Sequence, residues 1–84
     1  MLDEYNQRYI ADNNIIELTK AETEILYIFI KEKGKIVSNE LLEWIIYRDI
    51  TGDSKKVKGR ISKLRKKLSG ALEVKTKRQK GYYI

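Results

Sequence analysis

The chain alternates between two kinds of hydrophobic spacing. Short runs of β-prone residues lie at its two ends, and between them three stretches carry apolar residues every three or four positions. The first end run is "RYIADNNIIEL", from Arg8 to Leu18. It reads as a hairpin turning at Asn13-Asn14, a pair that tolerates left-handed backbone. "LTKAETEILYIFIKEKG" follows with helical spacing. Thr19 and Glu22 have the offset of a capping box, and Gly34 stands where a helix stop belongs. "KIV" reads as a short extended link. Ser38 can cap a second helix, whose apolar side is Leu41, Leu42, Ile45 and Ile46. "RDITGD" interrupts the pattern with Gly52.

The third periodic stretch is "SKKVKGRISKLRKKLSG", residues 54–70. Asp53 or Ser54 can cap it and Gly70 can end it. At 100° per residue, Val57, Ile61, Leu64 and Leu68 fall within an arc of about 60°. Lys55, Lys56, Gly59, Lys63 and Lys66 lie opposite, with Arg60, Ser62 and Lys67 on the flanks. Lys58 and Arg65 lie nearest the apolar edge, where long stems can cover core residues. The chain closes with "LEVKTKRQKGYYI". Val74, Thr76, Tyr82 and Tyr83 favour strands, and Gly81 reads as a turn or bulge, so a second hairpin is expected. Tyr82 and Tyr83 alternate, so one should point inward.

The order predicts an α+β fold: short N-terminal strands, three helices and a C-terminal hairpin, which is the plan of a winged helix-turn-helix. At 84 residues, one domain spanning 1–84 with one modest core is expected.

Charge sharpens this picture. The net charge is +6, but residues 1–54 hold 6 basic and 11 acidic side chains, against 12 basic and 1 acidic in residues 55–84. Eight of the thirteen residues 55–67 are Lys or Arg and none is acidic. A solvated surface helix normally mixes signs for i,i+4 pairing. Like charges on one face call for a polyanion. Cys and His are both absent, which removes thiolate metal sites, disulfides and the commonest general base. No constellation for acid/base, nucleophilic or metal chemistry is present, so neither an enzyme nor a cofactor is expected. Glu22 and Glu24, at i,i+2, point to different helix faces. Trp44 reads as core or edge packing. No apolar run is long enough to span a bilayer, and a soluble cytoplasmic protein is expected.

These pieces resemble the DNA-binding effector domain of OmpR/PhoB-type two-component response regulators. "LTKAETEIL" is similar to that family's first-helix opening, L-T-x-x-E-x-x-L-L. "GKIVSNELL" resembles the passage into the second helix. "VKGRISKLRKKL" resembles the recognition helix, V-D-x-x-I-x-x-L-R-x-K-L, and "TKRQKGYYI" the wing, T-x-R-G-x-G-Y. The likeness covers about residues 7–84 in one register. It implies that Lys56, Gly59 and Lys63 face base edges and that Lys55, Arg60, Ser62 and Arg65 lie near phosphates. It further implies that Thr76 and Tyr82 touch the DNA backbone, that Arg78 enters the minor groove, and that Tyr47 takes the place of a phosphate-contacting Trp.

The implied partners are double-stranded DNA, RNA polymerase through the loop from Arg48 to Asp53, a receiver domain if the chain is cut from a longer protein, and a second copy on DNA. A cut-out effector domain is the expected origin. The sequence departs from the family at Lys58, where an Asp is usual, at Gly59, at Thr23 and at Gln79, where the wing has its first Gly. The loop before the third helix is about one residue short. A winged-helix module that binds protein or RNA is the competing function. RNA readers display aromatics for stacking unpaired bases, whereas the aromatics here are scattered.

Overall fold

The computed structural model describes residues 1–50, 52 and 54–84, with the side chain of Ser54 outside the description. The element order is β1 (Leu2–Asp3), β2 (Arg8–Ala11), β3 (Asn14–Glu17), α1 (Lys20–Lys31), β4 (Val37–Ser38), α2 (Asn39–Tyr47), α3 (Ser54–Leu68), β5 (Lys75–Lys77) and β6 (Gly81–Tyr83). Strands β1, β2 and β3 form an antiparallel meander. A second sheet has the order β4-β6-β5, so the C-terminal hairpin is fastened to the extended link between α1 and α2. This is the expected winged helix, with three N-terminal strands.

The core lies where the three helices meet. Ile25, Leu26 and Phe29 from α1, Leu42 and Ile45 from α2, and the whole stripe Val57, Ile61, Leu64 and Leu68 from α3 are buried. Leu18, Val37, Val74 and Tyr82 close the cluster, and Leu2, Tyr9 and Ile16 of the N-terminal sheet pack against it. The capping box forms in full. Thr19 Oγ1 accepts from the Glu22 amide, and Glu22 Oε1 accepts from the Thr19 amide. Ser38 Oγ accepts from the Leu41 amide at the start of α2. The cap expected at Asp53 or Ser54 lies outside the described residues and side chains.

Four details differ from the sequence reading. The first hairpin turns at Asp12-Asn13, because Ala11 pairs with Asn14, and Asp12 takes the left-handed φ of 49°. Leu41 is 41% exposed, because the buried face of α2 is narrower than its apolar spacing suggests. Helix α1 ends at Lys31 with Glu32 as its cap, and Gly34 (φ 86°) serves the following turn, where its amide reaches the Ile84 carbonyl.

The fourth concerns Gly81, which makes no turn. It lies inside β6, and a Cβ there would stand 2.0 Å from the Val37 carbonyl oxygen. The turn belongs to Arg78 and Gln79, with the Lys80 amide donating to the Lys77 carbonyl and Gln79 at φ 62°. A positive φ at that third turn position is the pattern of a type II turn, which normally takes Gly. Gln79 adopts it at the usual cost of a left-handed non-Gly residue.

Candidate nucleic-acid interface

The buried stripe of α3 decides which of its residues can meet a ligand. With Val57, Ile61, Leu64 and Leu68 closed to solvent, the opposite face must point outward. Lys55, Lys56, Gly59, Arg60, Ser62 and Lys63 are all exposed, as the wheel requires. A Cβ at Gly59 would meet nothing within 4 Å, so the bare backbone there is open to an approaching surface. Lys58, Lys63 and Lys66 have no carboxylate in ion-pair reach among the described residues.

Tyr47 at the end of α2 is brought to this face. Its ring lies 5.5 Å from Lys56 Nζ and 5.7 Å from the Arg60 guanidinium carbon. The two cations are therefore partly organised by a quadrupole, with no ion pair to an acid among the described residues. Tyr47, implied to lie at a phosphate, thus stands beside Arg60, implied likewise, and Lys56, implied to face base edges.

The wing projects beside α3. Thr76 and Arg78 are exposed, and Arg78 tops the hairpin with Gln79 and Lys80. The Asn39 amide donates to the Lys80 carbonyl, which holds the tip near the start of α2. Tyr82 behaves differently. It is buried in the core, whereas Tyr83 is half-buried with Lys75 Nζ 5.8 Å from its ring. The inward member of the alternating pair is thus Tyr82.

Arg65 is also turned away from its expected place. Its Nε donates to the Val74 carbonyl at 2.9 Å and its Nη2 to Thr76 Oγ1, and its guanidinium lies over the Tyr82 ring. Local spacing carries no trace of these contacts, because the partners are nine to seventeen residues away across a turn.

Three ion pairs or hydrogen bonds fix the scaffold behind the cationic face. Lys67 Nζ reaches Glu22 Oε1 at 2.6 Å, which ties the end of α3 to the start of α1. Burial pushes the Glu22 carboxyl up, but the hydrogen bond and charge of Lys67 and the Thr19 amide outweigh it and hold the group below its ordinary value. Glu24 takes both oxygens to Arg48 Nη2, at 3.2 and 3.0 Å. The two glutamates therefore do face different partners, as i,i+2 spacing demands. Glu43 is buried and accepts from the Gly52 amide, anchoring the loop after α2. Arg48, at the start of that loop, is a left-handed cap (φ 57°). The Lys67 and Glu43 contacts were missed by sequence reasoning, and only the fold brings the partners together.

Away from this face, Trp44 is 47% exposed and lines an open groove with Tyr27, Leu41 and Arg48, an edge position. Among the described residues, no group of three acidic, His or Cys side chains is placed to hold a metal ion. No described helix is long and apolar enough to cross a membrane.

The family described as "Transcriptional regulatory protein, C terminal" has a sequence profile that matches residues 12–84. Among solved structures, the chain is similar to the DNA-binding domain of Bacillus subtilis CssR, with 30% identity and a TM-score of 0.82 over 99% of this chain and 96% of that one. It is also similar in fold to the DNA-binding domain of E. coli CadC, with 21% identity and a TM-score of 0.80 over 96% of this chain and 80% of that one. Among curated protein sequences, none matches.

Proposed function

This chain belongs to the family of C-terminal domains of transcriptional regulatory proteins, the OmpR/PhoB-type DNA-binding domains, and from that premise we propose that it reads duplex DNA with α3 in the major groove and the β5–β6 wing in the adjacent minor groove. As a winged-helix domain of that family it binds DNA in transcription regulation. One observation carries the finer reading: an exposed cationic helix face, on which Lys63 and Lys66 have no carboxylate in ion-pair reach among the described residues, stands opposite a stripe that is wholly buried.

In this reading Lys56, Gly59 and Lys63 face base edges. Lys55, Arg60, Ser62 and Tyr47 lie at phosphates, where cations position the protein without reading sequence. Thr76 is exposed on β5, as a backbone contact needs, and Arg78 stands at the tip, as minor-groove entry needs. Tyr82 can offer the backbone no more than its hydroxyl edge, since its ring belongs to the core. The loop 48–53 is the surface for RNA polymerase, a receiver domain is the partner where the chain is part of a longer cytoplasmic regulator, and a second copy binds alongside on DNA. None of these roles calls for enzymatic chemistry.

The test is a titration of duplex DNA against single-stranded RNA across salt. Releasing counterions from several phosphates makes log affinity fall linearly with log salt, by roughly a thousandfold or more between about 50 and 200 mM if six or more phosphates are contacted. Tighter binding to the single-stranded RNA, or an affinity indifferent to salt, would favour the protein- or RNA-binding module instead.

A further inference from the structure

A winged helix reads two grooves only if the angle between helix and wing is held. The chain leaves α3 at Leu68, turns through Gly70 (φ 84°) and returns to β5 at Lys75. That connection is irregular, and β5 is exposed along its length. The wing is therefore fastened on its β6 side by β4, whereas its β5 side faces solvent and α3.

Arg65 bridges this gap. It stands on α3 one position beyond the buried Leu64 and is half-buried. Its guanidinium touches three successive parts of the wing: the Val74 carbonyl at 2.9 Å before β5, Thr76 Oγ1 within β5, and the face of Tyr82 in β6 at 5.4 Å. Among the described residues no carboxylate pairs with it. A planar fork of donors that also stacks can satisfy all three contacts at once, and an ammonium cannot. Thr76 Oγ1, by accepting from Arg65, keeps its own hydrogen free to donate outward. Arg65 thus orients the exposed hydroxyl of Thr76 on β5.

We propose that Arg65 is a positioning residue: it braces β5 against α3 and sets the angle at which Arg78 reaches the minor groove, where the family resemblance implied a phosphate contact. The proposal rests on the two-groove reading above and names what fixes the distance between the two grooves' contacts. It makes groove-to-groove specificity a property of a side chain that touches no base.

The decisive variant is Arg65→Lys, which keeps the charge and removes the fork. Affinity is measured for duplexes with A·T-rich and G·C-rich flanks, for wild type, Arg65→Lys, Arg78→Ala and the double variant. Backbone order parameters of residues 75–83 are measured on the free proteins. The expected result is that Arg65→Lys lowers the A·T-over-G·C affinity ratio as far as Arg78→Ala does. The double variant should then fall no further than either single change. In the free Arg65→Lys protein, order parameters at the wing tip should drop from about 0.85 toward 0.6.

A Lys variant with wild-type affinity, flank ratio and order parameters overturns the proposal, because charge alone would then suffice. So do losses for Arg65→Lys and Arg78→Ala that multiply, because the two residues would act independently. If Arg65→Lys does not fold, Thr76→Val carries the test, and an unchanged flank ratio there is equally fatal. A wild-type ratio of one, with Arg78→Ala silent, instead defeats the minor-groove reading itself. In that case the order parameters alone still decide whether Arg65 is a brace.

Discussion

Phe29 of α1 and Leu64 of α3 are both closed to solvent, and each helix buries its apolar stripe against the same cluster. Their outer faces have little in common. Helix α1 carries both signs of charge, opens with a complete capping box, and directs its two glutamates to Lys67 and Arg48. Helix α3 has no acidic residue in its first turn; Lys56 and Arg60 have an aromatic neighbour, Lys67 pairs with Glu22, and Lys58, Lys63 and Lys66 have no acidic partner among the described residues. Packing therefore does not distinguish a structural helix from a reading helix. What distinguishes them is where the counter-charges sit. The glutamates of α1 find theirs within the protein; Lys58, Lys63 and Lys66 of α3 have none among the described residues.

The most drastic way to test the shared half of this comparison is to empty both stripes. Phe29→Ala should cost about 3–5 kcal/mol and Leu64→Ala about 2–5 kcal/mol. Denaturant unfolding should show both losses, and a loss below about 1 kcal/mol at Leu64 would mean that α3 is not core-anchored.

The second test addresses the half that differs. Lys63→Ala should weaken specific sites by about 1–3 kcal/mol and relax sequence preference, with the melting temperature unchanged. Lys31→Ala, on the exposed end of α1, should leave binding as it was. Equal losses at the two positions would erase the distinction between the helices.

A third, smaller effect probes the built-in counter-charge of α1. Thr19→Ala should cost about 0.5–2 kcal/mol of stability through the lost cap. Glu22 adds a pH signature. Its carboxyl is held below the ordinary 4.5, so its contribution is complete above that value and fades as the pH falls through the lower folded-state value. Acid unfolding followed by circular dichroism should show wild type losing stability there, with Glu22→Gln flatter in that window.

The smallest expected change has opposite signs in its two readouts. Gly59→Ala should stabilise the fold by about 1 kcal/mol, because Gly is a poor residue in a helix interior and the added methyl meets open space. Binding should weaken on the specific site, where the bare backbone approaches DNA. If stability and affinity rise together, Gly59 has no part in recognition.

Most of this architecture was legible in the chain because its determinants are local. The stripe Val57, Ile61, Leu64 and Leu68 needs only the helical repeat, and Thr19 with Glu22 needs only an offset of three. Outward placement of Lys56 and Lys63 then follows from geometry. Leu41 was misplaced because periodicity gives the direction of a face but not its width. The resemblance implied a phosphate contact for Arg65, while the wheel placed it at the core edge and could show none of its partners. Its partners lie across the turn after α3 and exist only once β5 has docked. Gly81 was read as a turn or bulge because a glycine in a hairpin sequence serves those or close approach equally well, and only the Val37 carbonyl decides between them. The resemblance supplied roles that periodicity does not, and the departure at Gln79 is resolved by its backbone taking the conformation that Gly would have had.

The Gly81 contact has a further consequence for engineering. Because β6 is clamped at its root by β4, the three residues before the clamp, Arg78, Gln79 and Lys80, form an exposed tip on a fixed handle. Sequences could be exchanged there, or a fluorophore attached, without disturbing the hydrophobic cluster. Gly81 itself would have to be left untouched in every such graft. A library confined to those three positions would sample different flank preferences on one unchanging scaffold.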